Sequence, residues 1–376
     1  MRLAMVAGEA SGDLLAGLLL GGLRQRWPEL QSMGIGGPQM AAQGFRAWWP
    51  SDKLAVRGYV EVLRHYRELA AIRRVTAERV LDERPDGFVG VDAPDFNLGL
   101  EARLRAGGIR SIHFVCPSIW AWRGGRVKKL HRSCDHVLCL FPFEPPLLQA
   151  HGVPATYVGH PLADAIPLQA PRVAARQALG LLESDTVVAV LPGSRRSEIA
   201  YNAPSFLRAA ALMHGRRPEL RFVLPLAPGL RPLLEPLLAL HGPGLPIVLT
   251  DGGSHAALAA CDLTLIASGT ATLEAALFKR PMVIAYHMPW LSWQITSAKR
   301  LQPWVGLPNI LCGDFVVPER LQDQARPEQL ARDVLDWLDA PEKIGTLQQR
   351  FTALHHELRR DTAQLATDAI QNILEG

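Results

Sequence analysis

Three carboxylates lie at or after the ends of short apolar runs, where they could take part in proton transfer. Asp92 ends the run GFVGVD and precedes Pro94. The carboxyl ends of parallel strands are where α/β proteins bind ligands, and a carboxylate there can accept a proton from a hydroxyl group. Asp92 is also suited to cap a helix, and that alternative stays open. Glu9 and Asp13 follow the run RLAMVA and are the other candidates for a general base.

The turn AGEASGD carries those two other carboxylates. Gly8 and Gly12 allow the backbone to approach a ligand closely, and Ser11 is a favoured N-cap for the helix that follows. The turn does not have the spacing G-x-G-x-x-G, so it does not indicate a dinucleotide site. An ordinary strand-to-helix turn is the alternative, here and at GIGGPQM in 34–40.

Two later glycine turns indicate anion binding. LPGSRRSEI places Gly193, Ser194 and Arg195 between an apolar run and a helical pattern. Backbone N–H groups at a helix start attract phosphate, and an arginine adds a charge-assisted contact. The alternative is a surface arginine.

The second of these turns, IASGTATLEAAL, brings Ser268, Gly269 and Thr270 to the start of another helix. Such a start could hold a diphosphate. Glu274, one turn further on, could bind a ribose diol, as acidic residues do in other nucleotide sites. The alternative for Glu274 is an ordinary helical glutamate.

Two basic segments contain aromatic or aliphatic side chains and suit an anionic amphiphile or a membrane interface. In 116–132, Trp120, Trp122 and Arg123 open a run of basic residues. Segment 54–80 interleaves arginines with Leu, Val and Tyr; these are Arg57, Arg64, Arg67, Arg73, Arg74 and Arg79. For both segments the alternative is an ordinary solvated helix packed on a core.

Composition excludes several classes of protein. The sequence has no G-x-x-x-x-G-K-[ST] and no D-x-D, so we expect no Walker-type NTPase site, no metal and no cofactor. The net charge of +4 does not by itself indicate nucleic acid as a partner. The five cysteines form no C-x-x-C pair, which suits a reducing cytoplasm. No apolar stretch is long enough to span a bilayer, and the first residues do not form a secretory signal.

Apolar runs alternate with helical patterns along the chain, which is typical of βαβ units around a parallel sheet. This alternation is interrupted at 163–174 and continues after it. We therefore predict an α/β fold of two Rossmann-like, doubly wound domains, 1–168 and 169–376, that face a cleft. A helical pattern from about 327 predicts terminal helices that could pack back on the first domain.

The motifs, taken together and in order, resemble the lipid-A-disaccharide synthases over about residues 3–370; they are AGEASGD, GIGGPQM, VGVDAPDFN, CPSIWAWR, VGHPLAD, LPGSRRSEI, ASGTATLEAAL and LPNILCG. The resemblance implies a GT-B glycosyltransferase with an acceptor- and lipid-binding first domain and a UDP-sugar-binding second domain. It implies transfer of a sugar from UDP-2,3-diacylglucosamine to the 6-hydroxyl of 2,3-diacylglucosamine 1-phosphate. The products would be a β-1,6-linked disaccharide and UDP, formed without a metal. The positions that match functionally important residues of the family are Asp92, Arg195 and Asn309.

The resemblance also implies association with the cytosolic face of the inner membrane and a possible homodimer. Three other interpretations remain open. These are a different GT-B enzyme such as a UDP-sugar epimerase or another lipid-linked sugar transferase, a non-catalytic module that binds a nucleotide sugar or lipid, and an NAD-dependent oxidoreductase. The last lacks the dinucleotide fingerprint after the first apolar run.

Overall fold

The computed structural model describes residues 1–54, 59–121 and 124–376, and the chain divides into two compact units. The first unit comprises Met1–Asp164 together with Leu358–Gly376, and the second comprises Ala165–Glu357. Each unit contains one parallel sheet covered by helices. The predicted α/β fold with two doubly wound sheets and C-terminal helices is therefore confirmed.

The first unit has a sheet of seven strands in the order β3-β2-β1-β4-β5-β6-β7. Its strands are β1 (Arg2–Ala7), β2 (Gln31–Gly36), β3 (Arg46–Pro50), β4 (Gly87–Val91), β5 (Ser111–Phe114), β6 (His136–Cys139) and β7 (Ala155–Tyr157). Its helices are α1 (Glu9–Arg26), α2 (Pro38–Ala42), α3 (Tyr59–Glu83), α4 (Pro94–Ala106), α5 (Val127–Ser133) and α6 (Glu144–Gln149), and α7 (Pro161–Ala165) ends at the boundary of the unit.

The second unit has a sheet of six strands in the order β10-β9-β8-β11-β12-β13. These are β8 (Thr186–Leu191), β9 (Leu220–Leu226), β10 (Ile247–Asp251), β11 (Leu263–Ala267), β12 (Met282–Tyr286) and β13 (Glu319–Leu321). The helices are α8 (Arg172–Ala178), α9 (Arg196–Arg216), α10 (Arg231–His241), α11 (Ser254–Ala260), α12 (Thr270–Leu277), α13 (Trp290–Ser297), α14 (Leu307–Cys312), α15 (Pro327–Leu338) and α16 (Pro341–Leu358).

The strand order of each sheet reverses at one point. In the first unit β1 lies between β2 and β4, and in the second β8 lies between β9 and β11. Connections that leave in opposite directions from such a point open a crevice at the carboxyl ends of the two central strands. The β1/β4 and β8/β11 pairs are therefore where proteins of this fold class place their ligands.

The last helix, α17 (Thr362–Glu375), belongs to the first unit and packs on α1. Its buried residues Ala366 and Ile370 share an apolar core with Leu19 and Leu23 of α1. Burial of aliphatic side chains is the main stabilising contribution of such a contact. The end of the chain thus completes the core of the unit that its beginning forms.

The motif VGHPLAD holds this terminal segment. The Asp164 carboxylate accepts backbone N–H groups of Arg360, Asp361 and Thr362 at 3.1, 3.0 and 2.7 Å. The His160 N–H donates to the Leu358 carbonyl at 2.9 Å. These bonds satisfy backbone groups that precede and start α17.

None of the described helices is both long and apolar enough to cross a membrane.

Candidate active site

Two loops meet at the switch point of the first unit. Gly8 follows β1, and Ala93 follows β4, the neighbouring strand. A Cβ added at Gly8 would lie 3.2 Å from the Ala93 Cβ, so the absence of a side chain lets the loops approach. The structure therefore brings together the AGEASGD and VGVDAPDFN motifs, which lie about 80 residues apart in the sequence.

Asp92 lies at the end of β4 in an unusual backbone conformation. Asp92 and Ala93 have φ values of 49° and 43°, in the left-handed region that side chains disfavour. Such a conformation costs on the order of 1 kcal/mol or more per residue and persists only where the surroundings impose it. The N-cap of α4 is Ala93, so Asp92 does not occupy the N-cap position. Asp92 is partly buried, and its backbone N–H donates to Phe114 of β5 at 2.9 Å.

The other predicted residues of this loop pair have separate positions. Ser11 is not the N-cap of α1: Gly8 is, and Ser11 is exposed within the first turn. The helix starts earlier than predicted because a glycine can provide the N-cap conformation without a side-chain cap. Glu9 is the first residue of α1, and only its backbone is described.

Asp13 has a structural position. Its carboxylate is buried and accepts N–H groups of Gly37, Gln39 and Met40 at 2.8, 2.8 and 3.1 Å. It therefore caps the start of α2 and ties α1 to the GIGGPQM turn. Asp92 is accordingly a stronger candidate for a base than Asp13.

In the second unit, Arg195 is the N-cap residue of α9, after the turn that ends β8. Gly193 has a φ of 135°, and a Cβ there would lie 2.4 Å from the Glu198 Cβ, so only glycine fits this turn. Glu198 Oε2 accepts the Ser194 N–H at 2.8 Å, and its Oε1 accepts from the Arg195 guanidinium at 2.5 Å. Glu198 was missed by the sequence analysis, although a glutamate three residues after an N-cap is a known capping signal.

The second helix start lies on the neighbouring strand. Residues of β11 pair with β8, and Gly269 at the end of β11 is the N-cap of α12. Gly269 and Thr270 are exposed, and Ser268 donates its hydroxyl to the Val305 carbonyl at 3.3 Å. The starts of α9 and α12 thus stand after adjacent parallel strands, on either side of the switch point. Two helix N-termini in that arrangement create a positive potential that suits a diphosphate.

Glu274 is paired with a histidine that the sequence analysis missed. Its Oε2 lies 3.6 Å from Nε2 of His255 in the first turn of α11, and the hydrogen bond to Glu274 raises the pKa of His255. His255 follows the glycines that end β10, which is the same strand–glycine–helix pattern as at the other two turns. The sequence signal was therefore present.

Comparisons with known proteins show the family of the chain. A model of the family described as lipid-A-disaccharide synthetase matches residues 3–372. The chain belongs to the lipid-A-disaccharide synthase family. That family catalyses the step that forms the lipid A disaccharide, and this member is an enzyme of the same kind.

The lipid-A-disaccharide synthases of two bacteria illustrate the likeness. That of Albidiferax ferrireducens is 61% identical and is matched over 100% of this chain and 98% of its own length. That of Burkholderia lata is 57% identical and is matched over 100% of this chain and 97% of its own length.

Among solved structures, two examples show the same fold. The UDP-GlcNAc 2-epimerase of Neisseria meningitidis bound to UDP-GlcNAc has a TM-score of 0.67 at 12% identity and covers 100% of both chains. A glycotransferase of kitacinnamycin has a TM-score of 0.62 at 18% identity, with coverage of 99% and 98%.

Asn309, which the family resemblance marks as important, is completely buried in this synthase. Its amide donates to the Val317 carbonyl and to Glu319 Oε1 at 2.9 and 2.8 Å, and its Oδ1 accepts from Val316 and Val317 at 2.9 Å. Glu319 also accepts the N–H groups of Val305 and Gly306. Asn309 therefore fixes the segment 305–317, which contains α14, and Ser268 is bonded to this segment through the Val305 carbonyl.

Trp120 is a packed anchor. It is 8% exposed, makes edge contacts with Phe141 and Phe143, and donates its indole N–H to Glu144 Oε1 at 2.9 Å. Burial raises the pKa of Glu144 to about 7, although Trp120 and the N–H groups of Phe141 and Leu140 bond to it. Trp120 thus fixes the backbone of its segment. Trp122 and Arg123 lie outside the described residues.

Close to this anchor, the fold gathers Cys116, Cys139 and Glu144 so that their potential ligand atoms lie within 4.8 Å of one another. Their spacing in the sequence predicted no such group. Both Glu144 oxygens already accept hydrogen bonds from Trp120 or from backbone N–H groups. A hydrogen bond with Cys116, together with burial, raises the pKa of Cys139, so the thiol form is favoured. The group has the properties of a buried packing cluster.

The basic segment 54–80 forms much of α3 where it is described. Arg74 and Arg79 pair with Glu78 and Glu83, and the Arg79 guanidinium also lies 4.3 Å from the centre of the Trp48 ring. Other residues of this helix are buried, among them Ile72 and Val80. Arg57 lies outside the described residues, and the side chain of Arg64 is not described. The lipid-contact role of this segment stays a prediction.

Proposed function

We propose that the chain transfers the sugar of UDP-2,3-diacylglucosamine to the 6-hydroxyl of 2,3-diacylglucosamine 1-phosphate. The observation that carries the proposal is the pair of helix starts, α9 and α12, on the adjacent strands β8 and β11, with Arg195 at one of them. Membership of the synthase family supports the choice of a UDP sugar and an acylated glucosamine as substrates.

In this proposal the second unit binds the donor. The diphosphate contacts the starts of α9 and α12, where backbone N–H groups and Arg195 counter its charge. Glu274 binds the ribose diol, and His255 beside it adds positive charge when it is protonated. Arg195 and the helix dipoles stabilise the charge that develops on the departing UDP, which is the role a metal plays in other transferases.

The acceptor binds to the first unit, where Asp92 is the general base. As the 6-hydroxyl oxygen attacks the anomeric carbon, its proton passes to the Asp92 carboxylate. The bond from the anomeric carbon to the UDP oxygen breaks, and UDP leaves with the electron pair. An α-linked donor gives a β-linked product because the hydroxyl attacks from the face opposite the leaving group.

Product analysis tests this function. The purified chain is incubated with both substrates, with and without excess EDTA, and the products are identified by mass spectrometry. We expect the disaccharide 1-phosphate and UDP in equal amounts, at a rate that EDTA does not change. Binding without turnover would identify a binding module, and an altered UDP sugar without disaccharide would identify an epimerase. A loss of turnover in EDTA that magnesium restores would contradict the metal-independent mechanism.

The cytosolic face of the inner membrane is the proposed location, because both substrates carry acyl chains, and the basic segments 54–80 and 116–132 are the proposed contacts. Sedimentation with anionic vesicles tests this: binding that weakens as salt rises supports it, and no binding at low salt contradicts it. A homodimer is also proposed, and ultracentrifugation that finds only monomer would contradict it.

A further inference from the structure

A layer of polar side chains lies between strand β4 and helix α4, directly beneath Asp92. Asn97 and Glu101 project from α4, and His113 projects from β5; all three are completely buried. Buried sites between a sheet and a helix are normally apolar, since burying polar groups costs free energy unless they are hydrogen-bonded. This layer has to be explained by something other than core packing.

Asn97 contacts the strained loop itself. Its Nδ2 donates to the Asp92 carbonyl at 2.8 Å and lies 3.3 Å from the carbonyls of Val91 and Val6. Asp92 and Ala93 both have positive φ, which turns the Asp92 carbonyl toward α4. One amide therefore links the ends of β1 and β4, the two strands at the switch point, and holds Asp92 in a conformation that it disfavours.

Glu101 and His113 hold the helix that carries Asn97. The Glu101 Oε1 and His113 Nδ1 atoms lie 2.7 Å apart, which joins α4 to β5. Gly90 makes room for them, because a Cβ at Gly90 would lie 2.1 Å from Glu101 Oε1 and 3.2 Å from the Asn97 Cβ. The glycine two residues before Asp92 is thus part of the same arrangement.

We propose that Asn97 is a positioning residue for the transfer reaction, acting through Asp92. Its amide fixes the backbone of Asp92 so that the carboxylate stands where the acceptor hydroxyl loses its proton. The inference rests on the proposed function of Asp92 as the base. It goes further by assigning the strain at Asp92 and Ala93 to catalysis and naming the side chain that maintains it. Small displacements of a catalytic group cost up to about 100-fold in rate.

A double-mutant cycle tests the inference. Asn97→Ala, Asp92→Asn and the double variant are compared for turnover and for UDP affinity by calorimetry. We expect Asn97→Ala to lower turnover by about 10- to 100-fold with UDP affinity unchanged. In the Asp92→Asn background the same change should lower turnover by less than about 2-fold, since the group that Asn97 positions is already inactive.

The controls separate the possible failures. Thr367→Ala removes another buried polar side chain of the first unit, on α17, and should leave turnover within about 2-fold of the parent. If the alanine variant does not fold, Asn97→Ser keeps a shorter donor, and the cycle is repeated with it. Equal losses in both backgrounds, or full activity of the Asn97 variant, would overturn the inference alone. Full activity of Asp92→Asn would overturn the proposed base and the inference with it.

Discussion

At the scale of single residues, Arg195 carries the charge that the proposed donor site depends on. Its guanidinium is about half exposed and bonds to Glu198, which also holds the Ser194 N–H. The bond to Glu198 fixes the arginine near the start of α9 while leaving donors available to a phosphate, since a guanidinium has five N–H groups.

Arg195→Ala should weaken UDP binding by about 10- to 100-fold, because a charge-assisted contact to phosphate contributes on the order of 1.5–3 kcal/mol. Calorimetry measures the affinity, and circular dichroism should show an unchanged fold. Arg196→Ala is the matched control, since Arg196 is the exposed neighbour with the same charge, and it should bind UDP almost normally. Equal effects of the two changes would mean that only net charge matters.

Residue identities were predictable where the chemistry is local. Asp92, Arg195 and Ser268 stand after strands, and the sequence alone placed them there. Glu198 and His255 could also have been predicted, Glu198 from its position three residues after an N-cap and His255 from the strand–glycine–helix pattern around it. Asn97 and Glu319 could not be found this way, because their partners lie on other elements: Asn97 bonds to Val6, 91 residues away.

At the scale of elements, the motif VGHPLAD has a structural task that its sequence did not reveal. The Asp164 carboxylate accepts hydrogen bonds from three backbone N–H groups at the start of α17, and α17 packs on α1. VGHPLAD therefore binds the C-terminal segment to the rest of the first unit.

Asp164→Ala should lower the free energy of unfolding of the first unit by about 1–3 kcal/mol, since it removes the partners of three N–H groups at a helix start. Urea unfolding followed by circular dichroism measures the change. Asp368 also lies on α17 and forms an exposed ion pair with Arg26 of α1. Asp368→Ala should lower the free energy of unfolding by less than about 1 kcal/mol. If both variants unfold at the same denaturant concentration, Asp164 does not hold the terminal segment.

The elements themselves were largely predictable. The apolar runs of the sequence became strands, among them RLAMVA in β1 and GFVGVD in β4, because buried parallel strands are continuous aliphatic stretches in sequence. Three strands were missed. QSMGIG of β2 contains two glycines, while RAWWP of β3 and the three residues of β13 lie at sheet edges, where the apolar signal is weaker.

At the scale of the whole molecule, the chain repeats one architecture twice and returns its last helix to the first unit. The doubling was visible in the sequence as a rhythm. This alternation did not predict that the last helix completes the core of the first unit. An amphipathic pattern shows that one face of a helix is buried, but it does not identify the element that covers that face. His160 lies in the part of the first unit that meets this end.

The stability of the first unit should depend on the pH through His160. Burial lowers the pKa of His160 to about 4. Its Nδ1 accepts the Leu162 N–H at 3.2 Å, which only the neutral ring can do. The unfolded chain has the ordinary histidine pKa of about 6.5 and takes up the proton first. The stabilisation is therefore complete above about pH 6.5 and is lost as the pH falls toward 4, by up to about 3 kcal/mol.

His160→Asn keeps an acceptor for the Leu162 N–H but cannot be protonated in this range. Urea unfolding at about pH 7 and about pH 5 should show a smaller pH dependence in this variant than in the parent. His151→Asn, at an exposed position of the same unit, should leave the pH dependence unchanged. An unchanged slope in His160→Asn would show that another group governs the acid sensitivity.

Asp92→Asn is the sharpest test of whether Asp92 removes the acceptor proton. Asparagine has nearly the same size and tolerates the positive φ of 49°, but it cannot take up the proton. One experiment measures turnover with both substrates alongside UDP affinity. We expect a loss of turnover of about 10²- to 10⁴-fold with UDP affinity nearly unchanged. Turnover close to that of the parent chain, with the fold intact, would contradict it.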